Sequence, residues 1–170
     1  MKLRVYFFIT TLFVVTTLNN AQSKISCVVN GKDFSGKVSS AQLVTIGNDK
    51  FIQVHADTGD KIMHIYLKES KLHDQLPVEL VYIPRDEEKG ESPDAELIWA
   101  PDGADAPQWN AIEGKAIVEN YDVENRSVSG SFSFTVEKHT YSSRKDKPRP
   151  KAEIKNGIFE NIVFTPEKEK

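Results

Sequence analysis

One cysteine, Cys27, is all that the 170 residues contain, so no disulfide can form within the chain. The longest apolar run, Val5–Leu18, is fourteen residues, whereas a helix needs about 20 to span a bilayer. Nothing after Leu18 carries the period of a long amphipathic helix. An excess of positive charge is missing too. The chain has 25 acidic and 22 basic residues, a net charge of −3, and so lacks the broad positive field that nucleic-acid binding requires. Catalytic signatures are also absent: there is no G-x-S-x-G elbow, H-E-x-x-H helix, phosphate-binding loop or dinucleotide glycine fingerprint. These absences weigh against an enzyme, and no pattern in the chain asks for a cofactor.

The N-terminus is more informative. Lys2 and Arg4 precede the apolar run, and Ala21 offers a small residue at a cleavage position. That is the layout of a secretory signal peptide at residues 1–21. It leaves residues 22–170 as one domain, long enough to bury a core without staples. Removing the signal peptide removes two positive charges and makes the mature chain more acidic. The expected location is periplasmic or extracellular, with no transmembrane segment in the mature chain. Lys24 stands three residues before Cys27, where lipid attachment wants a leucine-like residue, so a buried thiol in the first strand is the expected state of Cys27.

The body of the chain alternates apolar and polar residues, with turn signals at short intervals. This pattern indicates an all-β fold: a single antiparallel β-sandwich or a flattened, lipocalin-like barrel of about eight strands. Asn30-Gly31 marks a hairpin after a first strand at Ile25–Val29. Gly59-Asp60 marks a second, between Phe51–Thr58 and Lys61–Leu67. A two-residue turn there sets Thr58 opposite Lys61, which pairs Ala56 with Met63, Val54 with Ile65 and Ile52 with Leu67 on one apolar face. The opposite face pairs His55 with His64 and Gln53 with Tyr66. Shorter strands are expected at Val78–Ile83 and Ala95–Ala100, a loop at Pro101–Asn110, and a last hairpin from Lys115–Tyr121 to Ser127–Glu137. In that hairpin Phe132 and Phe134 point inward, and Gly130 takes an inward slot that suggests a bulge or close backbone approach. A final strand is expected at about Ala152–Phe164. The expected core includes Val29, Phe34, Val54, Ile65, Leu67, Leu80, Val118, Phe132, Phe134 and Ile162.

Three segments together carry a likeness: Cys27-Val-Val-Asn-Gly-Lys-Asp-Phe34, Tyr121-Asp122 leading into Val128-Ser-Gly-Ser-Phe-Ser-Phe134, and Asn156-Gly-Ile-Phe-Glu-Asn-Ile162. In this the chain resembles the small secreted or lipid-anchored β-domain proteins of unknown function common in Bacteroidota. The resemblance spans both ends of the mature chain. It implies the fold and an envelope setting, and no site residues.

Two groups of residues are candidates for chemistry. His55 and His64, opposite each other across a hairpin, have Cβ atoms about 5 Å apart and suit a shared metal ion such as zinc. Trp99 and Trp109 flank a loop holding Asp102 and Asp105. There a ring can stack on a sugar while the acids accept its hydroxyl protons. Both groups also have plain structural readings: polar residues on an exposed sheet face, and tryptophans capping a barrel mouth. The loop Lys138–Lys151, with six Lys or Arg and one Asp, is a solvated tip or a dock for an acidic partner. The expected function is a non-catalytic exported domain that binds a small molecule or glycan or serves in envelope structure. The alternatives are a carbohydrate-active hydrolase and a protein-interaction module using the basic loop.

Overall fold

A computed structural model describes residues 23–86, 88, 90–139 and 148–167. Residues 1–22, which include the expected signal peptide, and residues 140–147, most of the basic loop, lie outside the described residues. Among those described, nine strands form in chain order: β1 (Lys24–Val29), β2 (Lys32–Ile46), β3 (Asp49–Asp57), β4 (Ile62–Lys68), β5 (Val78–Val81), β6 (Ala95–Ala100), β7 (Trp109–Asp122), β8 (Ser127–Lys138) and β9 (Lys151–Val163). A 3₁₀ turn at Glu69–His73 follows β4. No helix of the described residues is long and apolar enough to cross a membrane.

The strands close into an antiparallel barrel. Neighbours run β7-β6-β4-β3-β2-β1-β9-β8, and β8 pairs back onto β7. Eight strands therefore form the barrel, and β5 is an extra strand on the β7 edge. Closure decides between the two architectures the alternation allowed, and it removes the exposed sheet edges that a sandwich must protect.

Local rules set the register. Asn30 and Gly31 both have positive φ, 48° and 78°, the geometry of a type I′ turn whose twist matches its flanking strands. Gly59, with φ 93°, opens the second tight turn, and the Thr58 N–H donates to the Lys61 carbonyl at 3.0 Å. Every pair expected across that hairpin forms, from Asp57 opposite Ile62 to Ile52 opposite Leu67. Strand β2 runs unbroken past Gly36 and absorbs its irregularity as a bulge between Val38 and Ser40.

Three expectations need correction. Strand β7 begins at Trp109, so the preceding loop is shorter than Pro101–Asn110 and Trp109 is a strand residue. The β7 backbone reaches back to pair with β6 at Ile98–Asn110 and Trp99–Trp109. Val29 is half-buried rather than central, because it sits at the end of β1 on the barrel rim. The last strand ends at Val163, one residue early.

Aromatic rings resting on inward glycines fill the interior. A Cβ added at Gly157 would lie 2.5 Å from the Phe132 ring, one at Gly114 2.5 Å from Phe134, and one at Gly36 2.6 Å from Phe34. At Gly130 it would overlap the Ile117 carbonyl oxygen and lie 2.8 Å from the Phe159 ring. An eight-stranded barrel has room inside for side chains or for one small ligand. Here rings occupy the space that glycines vacate. One end is plugged: Leu72 of the 3₁₀ turn is buried in the core, beside Tyr121 stacked on Phe164 at 6.3 Å.

Candidate functional site

The other end of the barrel is a mouth. The β1–β2 and β3–β4 turns, the β6–β7 loop and the start of β9 surround a cavity of about 340 Å³ lined by Trp99, Trp109, Phe34, Lys61, Asp33 and Asp102, among others. Its volume falls within the range of small-ligand pockets, roughly 300–1,000 Å³. Trp99 is 5% exposed and meets Phe34 edge-to-face, with ring centroids 5.0 Å apart. Trp109 is half-buried. Its indole nitrogen is shut from solvent and has no hydrogen-bond partner. A buried donor left unpaired costs about 1–3 kcal/mol, a cost that a turn of the Trp109 ring toward an acceptor would relieve.

The two tryptophans sit where the barrel closes. β6 and β7 share just two register pairs, and one of them is Trp99 with Trp109. Farther along β7, the same edge is taken by β5. The mouth is thus built on the shortest ladder of the closed barrel. Around the rim stand Lys32, Asp33, Lys61 and Asp102. Among the described residues neither Asp33 nor Asp102 is tied up in a side-chain hydrogen bond or an ion pair. Asn30 is engaged: its N–H donates to the Glu153 carbonyl at 2.9 Å and its Oδ1 accepts from the Glu153 N–H at 2.8 Å. These bonds fasten the β1–β2 turn to β9.

Of the four residues singled out in and beside this loop, three meet here and one does not. Asp105 lies in a neighbouring recess of about 420 Å³ with Gln108, Asn110 and His139. Gly103, with φ 90°, turns the chain between the two aspartates. Phe34, Asp33 and Lys61 were missed because they arrive from distant turns. Their signal was present nonetheless: in an up-and-down meander, alternate turns share one end, and Asn30-Gly31, Gly59-Asp60 and the Asp102 loop are such turns.

The histidine pair forms as the register dictates, on the outer wall. The His55 and His64 rings are 4.4 Å apart at 73°, edge-to-face. His55 Nε2 is 3.9 Å from Asp57 Oδ2, and His64 Nδ1 is buried without a partner. Among the described residues no group of three or more His, Cys, Asp and Glu is placed to hold a metal ion. Burial, and then the neighbouring His55, hold the His64 imidazole below its ordinary value. A depressed histidine stays neutral in the native state while the unfolded chain takes up the proton, so its contribution is present above the unfolded value and lost as pH falls below it. Wild type should therefore lose more thermal stability than His64→Asn between about pH 7.5 and pH 5.5. Equal losses in paired melting curves would show that His64 carries no such linkage.

Cys27 is buried in β1, and that burial pushes its thiol up to about 12, so it remains a neutral thiol packed opposite Phe34. The chain matches no known protein family, no curated protein and no solved structure.

Proposed function

We propose that this protein is an exported, non-catalytic barrel that holds a small hydroxylated ligand, a mono- or disaccharide, at its tryptophan-lined mouth. The observation that carries the reading is the cavity of about 340 Å³ at the barrel mouth, lined by Trp99, Trp109 and Phe34 with Asp33 and Asp102 beside them. A sugar supplies what the mouth lacks. Its hydroxyls can donate to Asp33 and Asp102, and a small turn of the Trp109 ring would bring the unpaired indole N–H to a ring oxygen or hydroxyl. The carbohydrate's apolar face can lie against Trp and Phe surface. Export rests on the N-terminal residues Met1–Ala21, and the envelope setting on the resemblance carried by the Asn30-Gly31 and Asn156-Gly157 segments.

Intrinsic tryptophan fluorescence, titrated with a panel of mono- and disaccharides, tests the reading. At least one sugar should give a saturable change. Trp109→Phe, which keeps a ring but loses the N–H, should weaken that sugar by about tenfold, the worth of one good hydrogen bond. A panel that gives no saturable change, or a Trp109→Phe variant that binds as well as wild type, would refute the assignment. Asp33 and Asp102 on one rim also keep the hydrolase alternative in play; release of reducing ends from a bound oligosaccharide would favour it.

A further inference from the structure

A second depression lies on the outer wall, away from the mouth. Register aligns Gln42, Gln53, Tyr66 and Glu96 in one outward row across β2, β3, β4 and β6. Gln42 Nε2 donates to Gln53 Oε1 at 3.2 Å, and Gln53 Nε2 donates to Tyr66 Oη at 2.9 Å. The His64 ring stacks alongside Tyr66 at 6.4 Å. These contacts hold the Tyr66 ring in place. Above it the β5–β6 loop is pinned to the β2–β3 turn. Lys68 Nζ lies 3.1 Å from Asp49 Oδ2 and donates to Ser92 Oγ at 3.0 Å, while the buried Ser92 hydroxyl donates to Asp49. The loop is braced again by paired backbone hydrogen bonds between Asp86 and Glu91, at 3.0 and 2.8 Å.

The result is a preformed cleft of about 450 Å³, with Tyr66, Glu96, Ile98, Ile46, Arg85 and Glu91 among its lining. Among the described residues its charge is not balanced: Lys68 answers Asp49, and Glu91 and Glu96 face Arg85. The Arg85 guanidinium comes no nearer than 4.0 Å to Glu96, beyond hydrogen-bond distance. Burial accordingly keeps the Glu96 carboxyl above the usual range despite Arg85.

We propose that this outer-wall cleft binds an organic cation, an ammonium or guanidinium group on an apolar stem, with Glu96 as its counter-ion. Each part of the cation has a complement. The charge meets a partly desolvated carboxylate, where a charge-assisted hydrogen bond is at its strongest. The face of Tyr66 adds cation–π attraction. Ile46 and Ile98 offer apolar surface to the stem. An anion would meet an excess of carboxylates among the described lining residues. Arg85 is then a resident competitor for Glu96 rather than part of the recognition.

That last point makes the test sharp. Butylammonium serves as the free-amine probe and a short lysine-containing peptide as the probe for a basic segment of a partner, each titrated calorimetrically at low salt. Saturable binding by either supports the proposal, and the tighter of the two names the source of the cation. Glu96→Gln, nearly isosteric and on the outer wall, should weaken binding by about tenfold or more with an unchanged melting temperature. Arg85→Ala should strengthen it severalfold, an outcome that a purely structural role for Arg85 would not give. The exposed control Glu160→Gln should bind as wild type does. The proposal fails if neither probe saturates, if Glu96→Gln leaves affinity unchanged, if Arg85→Ala weakens binding, or if a neutral sugar occupies the cleft as tightly in Glu96→Gln as in wild type.

Discussion

Truncation of Phe132 to alanine is expected to cost about 3–5 kcal/mol, the range for removing a buried phenylalanine. The ring is 4% exposed, lies 6.3 Å from both Phe134 and Phe159, and covers Gly157 on the neighbouring strand. Because the backbone of a closed barrel is held by ladders on both sides, the walls cannot collapse into the space left behind. In a domain of this size the loss corresponds to a fall in melting temperature of roughly 10 °C. The ring and the glycine should also act as a unit. Gly157→Ala places a methyl group against the ring, at a cost of about 1–3 kcal/mol from overpacking. Pairing Gly157→Ala with Phe132→Leu should recover part of the combined cost, giving a coupling of about 1 kcal/mol. Denaturant unfolding of the four proteins of the cycle measures this directly; costs that simply add would mean that the ring and Gly157 do not share one space.

This packing bears on the proposed function because it limits where a ligand could sit inside the barrel. Phe34, Phe132, Phe134 and Phe159 each rest against an inward glycine, so rings occupy the barrel's centre. Leu72 closes the far end. The interior space left open is the mouth above Phe34, where Trp99 and Trp109 meet on a two-pair ladder. A seam that short is the part of the barrel most easily parted, which suits the binding proposed at the mouth.

Much of the fold could be read from local chemistry. The β3–β4 register followed from one Gly-Asp turn and one alternating pattern, since a shift by a single residue would have turned Ile52, Val54 and Ala56 to solvent. Gly130 was legible for a similar reason: an inward position without a side chain has to be filled by something else, and Phe159 and the Ile117 backbone fill it. What was not legible depends on long connections. β4 pairs with β6 across the intervening 3₁₀ turn and β5, and no tight turn sets that register, so nothing along the chain announces that Glu96 will stand beside Tyr66. The mouth shows the same limit. Trp99 and Trp109 were visible as a pair, but their company at Phe34 and Lys61 is a consequence of barrel closure. Asp102 and Asp105 looked equivalent in the sequence and were separated by the turn at Gly103.

Gly130→Ala should be nearly as damaging as loss of the Phe132 ring, for a different reason. The added methyl would overlap the Ile117 carbonyl oxygen on β7 and press on the Phe159 ring at 2.8 Å. A ring can tilt. A carbonyl that belongs to the β7–β8 ladder can move only if the ladder moves, and the sheet is already irregular here, with a register shift at Val118/Asn120 in the β7–β8 ladder and another at Val128/Gly130 in the β8–β9 ladder. The expected cost is about 3 kcal/mol, at the upper end for overpacking, or a fall of roughly 6–12 °C in melting temperature. The obstruction is backbone, so relieving the ring should not help: Gly130→Ala combined with Phe159→Leu is expected to be at least as unstable as Gly130→Ala alone, the opposite of the Gly157 and Phe132 pair. The adjacent outward change Ser131→Ala should stay within about 0.5 kcal/mol of wild type. Rescue of Gly130→Ala by Phe159→Leu would mean that the ring, not the β7 backbone, sets the tolerance at this position, and that the barrel wall is softer there than its closed hydrogen-bonding requires.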